Sequence, residues 1–144
     1  MEKSLAWSRR GLLRGAVLIG VLPFLGAAGA QAQTGIQGNW SFAWQGASDN
    51  YSGILEVSAP INNAAFAGRL TVRPSKGGTV FEDAQVTVAG NQVRIECSNP
   101  ASADRNVSDW SPDRFYVVLN GNRMEGYSLD AVGHRGASIV FTRM

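Results

Sequence analysis

Cysteine and histidine are almost absent from this chain of 144 residues, which contains one of each, Cys97 and His134. A lone cysteine excludes an intrachain disulfide, because that bond needs two thiols. A lone histidine without a cysteine pair lacks the ligands of an ordinary zinc site, so we predict no metal centre. The fold must therefore be stabilised by packing and by hydrogen bonds between backbone groups.

Charged residues are also few, and the formal net charge of +2 is misleading. The positive charge is concentrated in the first 14 residues, which contain four basic side chains and one acidic side chain. From Gln33 onward, nine basic residues stand against ten acidic ones, a net charge of −1. This part of the chain lacks the basic surface that nucleic-acid binding requires, so we expect no nucleic-acid partner.

The one long apolar stretch, residues 16–25, lies near the N-terminus. Basic residues precede it and small residues follow it, which is the order of a signal peptide. The stretch is shorter than the roughly 20 residues that a membrane-spanning helix needs. Gly20 and Pro23 also interrupt it. A cleaved export signal therefore fits this segment better than a membrane anchor does.

The adjacent Arg9 and Arg10 resemble the twin-arginine export signal, with Leu12 and Arg14 at positions where that motif usually has Phe and Lys. Small residues suited to cleavage extend to position 32. We predict that residues 1–32 are a cleaved signal peptide and that the remainder, 33–144, is a single periplasmic or secreted domain. After cleavage we expect no membrane-embedded segment.

Apolar residues at helical spacing are missing from this domain, whereas short segments of alternating apolar and polar residues recur. Clusters of Gly, Asn, Asp, Pro and Ser separate these segments, as in all-β proteins. The pattern predicts eight strands, at residues 39–45, 51–58, 66–73, 81–88, 92–98, 114–120, 123–130 and 137–143. An eight-stranded antiparallel up-and-down barrel is the predicted fold, with a two-sheet β-sandwich as the alternative.

Two connections have the composition of tight hairpins, Gly90-Asn91 and Asn120-Gly121, because primed turns need residues that tolerate positive φ. In an up-and-down order, the links after the second, fourth and sixth strands fall at one end of the barrel. The longer links, of which 99–113 is the longest, fall at the other end. The sequence thus predicts a barrel with a closed end and a loop-bearing rim.

Gly38-Asn39-Trp40 begins the first strand, and Arg143 ends the last. This arrangement resembles the lipocalin and wider calycin pattern. The resemblance implies that the tryptophan closes the barrel base and that the arginine packs across it. Eight antiparallel strands closed on themselves leave an interior that either is filled by side chains or holds one small ligand. Both residues fall at the end predicted from loop lengths to be closed.

Aromatic residues mark the predicted binding region. Strand alternation places Trp40, Phe42 and Trp44 on one inward face, and Trp110 lies in the long connection 99–113. Tyr51 and Arg114 border the rim in the same arrangement. A rim tryptophan is expected either to cover the barrel mouth and contact a partner or to fold back and plug the barrel. The predicted ligand-binding residues are Trp40, Phe42, Trp44, Tyr51, Trp110 and Arg114.

Acidic residues in the loops are better explained by turn formation than by catalysis, since Asp side chains commonly cap loops. This interpretation applies to Asp104, Asp109, Asp113 and Asp130. Cys97 lies on an inward face between apolar neighbours and is predicted to be structural. No serine lies in a nucleophile elbow, so no catalytic residue is predicted.

The favoured hypothesis is an exported, non-enzymatic protein that holds a small apolar or aromatic molecule in its barrel. The first alternative is a protein-interaction or inhibitor module that uses the rim loops around Trp110, which a filled interior would favour. The second is a calycin-type enzyme, which would need a carboxylate or tyrosine inside the barrel with a shifted pKa. The sequence identifies no cofactor.

Overall fold

The computed structural model describes residues 35–144, so the predicted signal peptide, residues 1–32, lies outside the described residues. No helix in residues 35–144 is long and apolar enough to cross a membrane. Eight strands account for most of this region. They are β1 (Gly38–Gln45), β2 (Asn50–Pro60), β3 (Ala65–Pro74), β4 (Val80–Ala89), β5 (Gln92–Ala101), β6 (Arg114–Asn120), β7 (Arg123–Leu129) and β8 (Arg135–Arg143).

The strands form a closed antiparallel barrel in which each one pairs with its neighbours in sequence order. β8 returns to pair with β1, with Trp40 opposite Arg143 and Phe42 opposite Phe141. This closing pair confirms the barrel and excludes the sandwich alternative, since a sandwich would leave the first and last strands unpaired with each other. The predicted strands are confirmed, with boundaries that differ by at most three residues.

The two predicted tight hairpins are present, and their glycines have positive φ, 63° at Gly90 and 61° at Gly121. Both turns lie at the same end as the start of β1 and the end of β8. We call this the closed end. The links 46–49, 75–79, 102–113 and 130–134 lie at the opposite end, which we call the open end. The predicted division of the loops is therefore confirmed.

Side chains fill most of the barrel interior. Each strand directs alternate residues inward, and these form one apolar core that runs from Ile36 and Trp40 at the closed end to Val72 and Val80 near the open end. Gly53 supports this packing. A Cβ on Gly53 would lie 1.8 Å from the Thr71 carbonyl oxygen and 2.7 Å from Phe42 Cζ. Glycine therefore lets β2 approach β3 closely beneath the Phe42 ring.

The seam between β1 and β8 separates toward the open end. Paired residues extend from Trp40 and Arg143 to Ala43 and Val140, beyond which β1 pairs with β2 alone. β8 continues toward Arg135 against β7 alone. The last residues of β1 therefore border a lateral gap in the barrel wall.

Candidate ligand-binding site at the open end of the barrel

The closed end contains the first of the predicted site residues, Trp40. Its ring is fully buried, and its indole N–H donates to the carbonyl oxygen of Ile36 at 2.9 Å. The Arg143 guanidinium lies over the ring, 4.2 Å from its centroid. Arg143 also donates to the carbonyl oxygens of Gln37 and Gly35 and to Asn122 Oδ1. The indole and the guanidinium are thus both hydrogen-bonded, and the structure places Trp40 in the core.

A continuous set of aromatic rings leads from the core to the open end. Phe42 is buried and lies 5.3 Å from Phe141 and 5.4 Å from Trp44, measured between ring centroids. Trp44 stacks on Tyr51, with centroids 4.7 Å apart and planes 21° from parallel. Both outer rings are half-buried. Phe42 therefore belongs to the packed interior, whereas Trp44 and Tyr51 form the upper surface of that interior.

The long connection between β5 and β6, residues 102–113, folds back over this surface. Trp110 packs against the core and meets Tyr51 edge-on, with centroids 6.2 Å apart. Two contacts tie the connection to the loop between β3 and β4. Asp104 Oδ1 accepts from the Thr79 N–H at 3.0 Å, and Arg105 donates to the carbonyl oxygen of Gly77 at 3.3 Å. Trp110 therefore covers the barrel mouth, and hydrogen bonds to the β3–β4 loop hold its connection in place.

Two cavities border the stacked pair Trp44 and Tyr51. The smaller has a volume of about 260 Å³ and lies beneath the loop, lined by Trp44, Tyr51, Asp109, Trp110, Ser111 and Asp113. The larger is a groove of about 680 Å³ at the gap between β1 and β8, and its lining includes Ala43, Arg73 and Ala137. Trp44 and Tyr51 contribute to both. The two cavities meet at this pair, so we call them together the mouth site.

A buried acidic pair lies under the mouth site. Glu82 on β4 is only 1% exposed, and its Oε1 accepts from the backbone N–H of Asp113 at 3.1 Å. Burial raises the pKa of the Glu82 carboxyl, and it raises the pKa of Asp113 well above its usual range. The neighbouring Glu82 carboxyl raises the pKa of Asp113 further. Two neighbouring carboxyl groups that are shielded from solvent share one proton in preference to ionising together.

Three buried polar atoms at this position have no hydrogen-bond partner outside their own cluster among the described residues. They are Glu82 Oε2, Asp113 Oδ2 and Trp110 Nε1. The indole N–H of Trp110 is directed toward the Glu82 carboxyl and lowers the pKa of that group slightly. Buried polar atoms are almost always hydrogen-bonded in folded proteins, and these three pair with one another, since the Glu82 carboxyl accepts from protonated Asp113 and from the Trp110 indole N–H.

The remaining predicted residues lie around the rim. Arg114 donates from Nη2 to the carbonyl oxygens of Asp130 and Ala131, which fixes the loop between β7 and β8. His134 is highly exposed, with Nδ1 3.4 Å from Asp130 Oδ2. Asp130 itself accepts from the N–H groups of Val132 and His134, as the loop-capping interpretation predicts. These groups surround the mouth site without lining either cavity.

Two acidic residues depart from the sequence-based expectations. Asp113 is not the solvated loop residue that its surroundings in the sequence predict, since its Oδ2 is buried where the connection 102–113 turns inward just before β6. Glu82 is a site residue that the sequence reasoning missed. Strand alternation could have identified it, because Glu82 lies on the same inward face of β4 as Val80, Ala84 and Val86.

The lone cysteine occupies the position expected of it. Cys97 is buried on the inward face of β5, within the apolar core. Burial raises the pKa of its thiol, and the nearby Glu82 and Asp113 carboxyl groups raise it further. A thiol that stays protonated is a poor nucleophile, in agreement with a structural role.

No protein-family model matches the chain, and no curated protein matches it. Solved structures of designed β-barrels do resemble it. A de novo designed fluorescence-activating β-barrel has a TM-score of 0.55 and 22% identity, covering 80% of this chain and 98% of its own. A redesigned β-barrel bound to DFHBI, mFAP1, has a TM-score of 0.60 and 12% identity, covering 79% and 97%. At these identities the likeness shows the eight-stranded antiparallel barrel alone, which fits a calycin-like barrel at the level of coarse fold.

Proposed function

We propose that this protein is an exported, non-enzymatic binding protein that takes a small aromatic molecule at the mouth site. One observation carries the proposal: Trp44 and Tyr51, stacked at 4.7 Å and half-buried, line both cavities above a filled core. Flat aromatic surfaces with a few polar groups nearby are typical of small-molecule sites. Trp110 provides a third ring above the pair.

The barrel interior limits where the ligand sits. Phe42, Phe115 and Phe141 pack against one another below Trp44, so the ligand binds above these rings and not at the depth of Trp40. The gap between β1 and β8 gives a lateral approach that does not require the Trp110 loop to detach. The smaller cavity, at about 260 Å³, is close to the lower limit of ordinary ligand sites, which favours a ligand with one or two rings.

The designed barrels give independent support for such a ligand. DFHBI, to which three of the similar barrels are bound, is a small aromatic dye. These proteins share the barrel architecture and not the sequence, so they support the class of ligand and no particular residue.

The decisive experiment measures binding of DFHBI, together with a panel of one-ring and two-ring aromatic fragments, to the domain comprising residues 33–144. Tyr51→Leu removes one ring of the stacked pair. Tyr127→Leu is the control, because Tyr127 also contacts an aromatic ring, meeting Tyr116 edge-to-face on the outer surface with centroids 6.1 Å apart. We expect Tyr51→Leu to weaken binding at least about tenfold and Tyr127→Leu to leave it unchanged.

The opposite pattern, in which Tyr127→Leu alone weakens binding, would move the site to the outer groove lined by Tyr116 and Tyr127 and overturn the proposal. A panel in which no compound binds would also overturn it. That second result would favour the alternative in which the rim loops contact a protein.

Export is a separate part of the proposal and rests on Arg9 and Arg10. Replacing both with lysine preserves the charge but removes the guanidinium pair. We expect the full-length protein to accumulate in the cytoplasm of a bacterial host when both are replaced, and to reach the periplasm when Lys3 is replaced by arginine as a control. Unchanged export of the double variant would exclude the twin-arginine route.

A further inference from the structure

The polar lining of the smaller cavity is acidic, and the one arginine that lines the mouth site, Arg73, belongs to the larger cavity. Of the six residues that line the smaller cavity, Asp109 and Asp113 carry carboxyl groups and none is basic. The nearest arginines are engaged elsewhere. Arg105 donates to the Gly77 carbonyl oxygen and lies over the Trp110 ring at 5.3 Å, and Arg114 donates to carbonyl oxygens of the β7–β8 loop. A ligand that enters this cavity meets negative charge beside aromatic rings.

The buried oxygens beneath the cavity have few donors. Apart from the proton that they share and the Trp110 indole N–H, Glu82 Oε2 and Asp113 Oδ2 have no donor among residues 35–144, although the Glu82 side chain is buried. Burying a carboxylate oxygen without a donor is costly. One shared proton relieves part of that cost, and a ligand with several N–H donors would relieve more of it.

A metal ion fits this position poorly. Calcium and magnesium require about six oxygen ligands, and the described residues contain no group of three acidic, histidine or cysteine side chains arranged to hold a metal. An ammonium group differs, because it brings three donors and is attracted to aromatic faces.

We infer that the mouth site selects an aromatic amine in its protonated form, with the ammonium group against the Asp113 carboxyl, which lines the smaller cavity above buried Glu82, and the ring against Trp44 and Tyr51. This inference rests on the proposed function and names the ligand class. An ammonium group beside Asp113 favours the ionised form of the acidic pair, so its binding competes with the single shared proton. The polar end of the ligand therefore lies inside the mouth, below Trp110, and not among the charges of the rim.

The test compares three probes that share a phenyl ring and differ in charge: phenethylamine, phenethyl alcohol and hydrocinnamate. Their affinities for the domain of residues 33–144 are measured by calorimetric titration at neutral pH. We expect phenethylamine to bind about tenfold more tightly than phenethyl alcohol, and hydrocinnamate to bind most weakly, because charged hydrogen bonds exceed neutral ones.

Glu82→Gln keeps the shape and removes one carboxylate, and Asp113→Asn does the same from the loop side. We expect either variant to lose the preference for the amine while still binding phenethyl alcohol. Glu96→Gln on the outer face of β5 is the matched control, since the Glu96 side chain is 51% exposed and pairs only with Arg94 among the described residues. That variant should keep the preference. If neither Glu82→Gln nor Asp113→Asn folds, the order in which the unmodified domain binds the three probes tests the inference.

If all three probes bind equally and Tyr51→Leu weakens each of them, the proposed aromatic site is supported. The preference for a cation is then overturned. The cation preference is likewise overturned if Glu82→Gln and Glu96→Gln behave alike. Absence of binding by every probe would also overturn the inference, whereas binding of DFHBI in the same preparation would keep the proposed function.

Discussion

The two ends of the barrel each contain a tryptophan beside charged side chains, yet they are finished differently. At the closed end, Trp40 donates to Ile36 and is covered by Arg143, whose guanidinium donates to two backbone carbonyl oxygens and to Asn122. At the open end, the Trp110 N–H and one oxygen each of Glu82 and Asp113 have no partner among the described residues outside their own cluster. Bonds to fixed backbone groups at the closed end indicate a stabilising role, and a buried acidic pair beneath a cavity at the open end indicates a place for a ligand.

The largest expected effect is on stability, and it differs between a substitution at the closed end and one at the open end. Trp40→Ala should lower the free energy of unfolding by about 3–5 kcal/mol, because a fully buried ring is lost and Arg143 loses its packing surface. Trp44→Ala should cost about 2 kcal/mol, since its ring is only half-buried. Urea denaturation of both variants measures the difference. Equal losses would mean that the open end is packed as tightly as the closed end, and the contrast between the two ends would no longer hold.

A second prediction concerns the geometry of Arg143. Arg143→Lys keeps the charge but cannot reproduce the forked hydrogen bonds to Gln37, Gly35 and Asn122, so it should cost about 1–2 kcal/mol. Its control is Arg94→Lys. Arg94 also lies over an aromatic ring, Tyr116 at 5.0 Å, but on the exposed outer face.

We expect the Arg94 variant to change stability by less than about 0.5 kcal/mol. Chemical denaturation at neutral pH compares the two. A lysine at position 143 that is tolerated as well as one at 94 would show that the closed end needs only a positive charge.

The smallest effect depends on pH and tests the open end. The pKa values of Glu82 and Asp113 are raised in the folded protein, so folding favours the protonated pair. The stabilisation is complete below the ordinary carboxyl pKa of about 4 and is lost as pH rises from there through the raised pKa values. Asp49, Asp104 and Asp130 have lowered pKa values, so their contribution has the opposite sign and is lost below about pH 4.

Glu82→Gln holds the pair in a permanently hydrogen-bonded form, because the amide donates where the shared proton stood. The variant should gain stability relative to the unmodified domain as pH rises from about 4 to 8, by about 1 kcal/mol. Denaturation at several pH values measures this change, with Glu96→Gln as the pH-independent control. A constant difference across that range would show that the two carboxyl groups titrate normally.

Most of the barrel could be predicted from the sequence because its information is local. Alternation in segments such as 66–73 and 92–98, and the turn residues Gly90 and Gly121, determine strands and hairpins over a few residues. Up-and-down order then follows from short links. Closure also had a sequence signal, since Trp40 and Arg143 stand near opposite ends of the domain and meet across the β1–β8 pair.

The site was less predictable, because its residues come from distant parts of the chain. Trp44, Tyr51 and Trp110 were predicted and do line the mouth site, whereas Trp40 and Phe42 lie in the core. Whether an inward aromatic ring packs or lines a cavity depends on its height in the barrel relative to Phe115 and Phe141. Strand alternation gives the direction of a side chain and not that height.

Local features of the amino-acid sequence were enough to define the all-β class, the eight strands, their order and the end at which the barrel is closed, because each depends on periodicity, turn chemistry or link length. Two further properties arise in the folded chain alone: the interior is filled up to Trp44, and Glu82 meets Asp113 beneath Trp110. They depend on how a long connection folds back over the mouth and on which buried carboxyl groups it brings together. No local pattern in the chain encodes that meeting, because the two carboxyl groups lie 31 positions apart in the sequence.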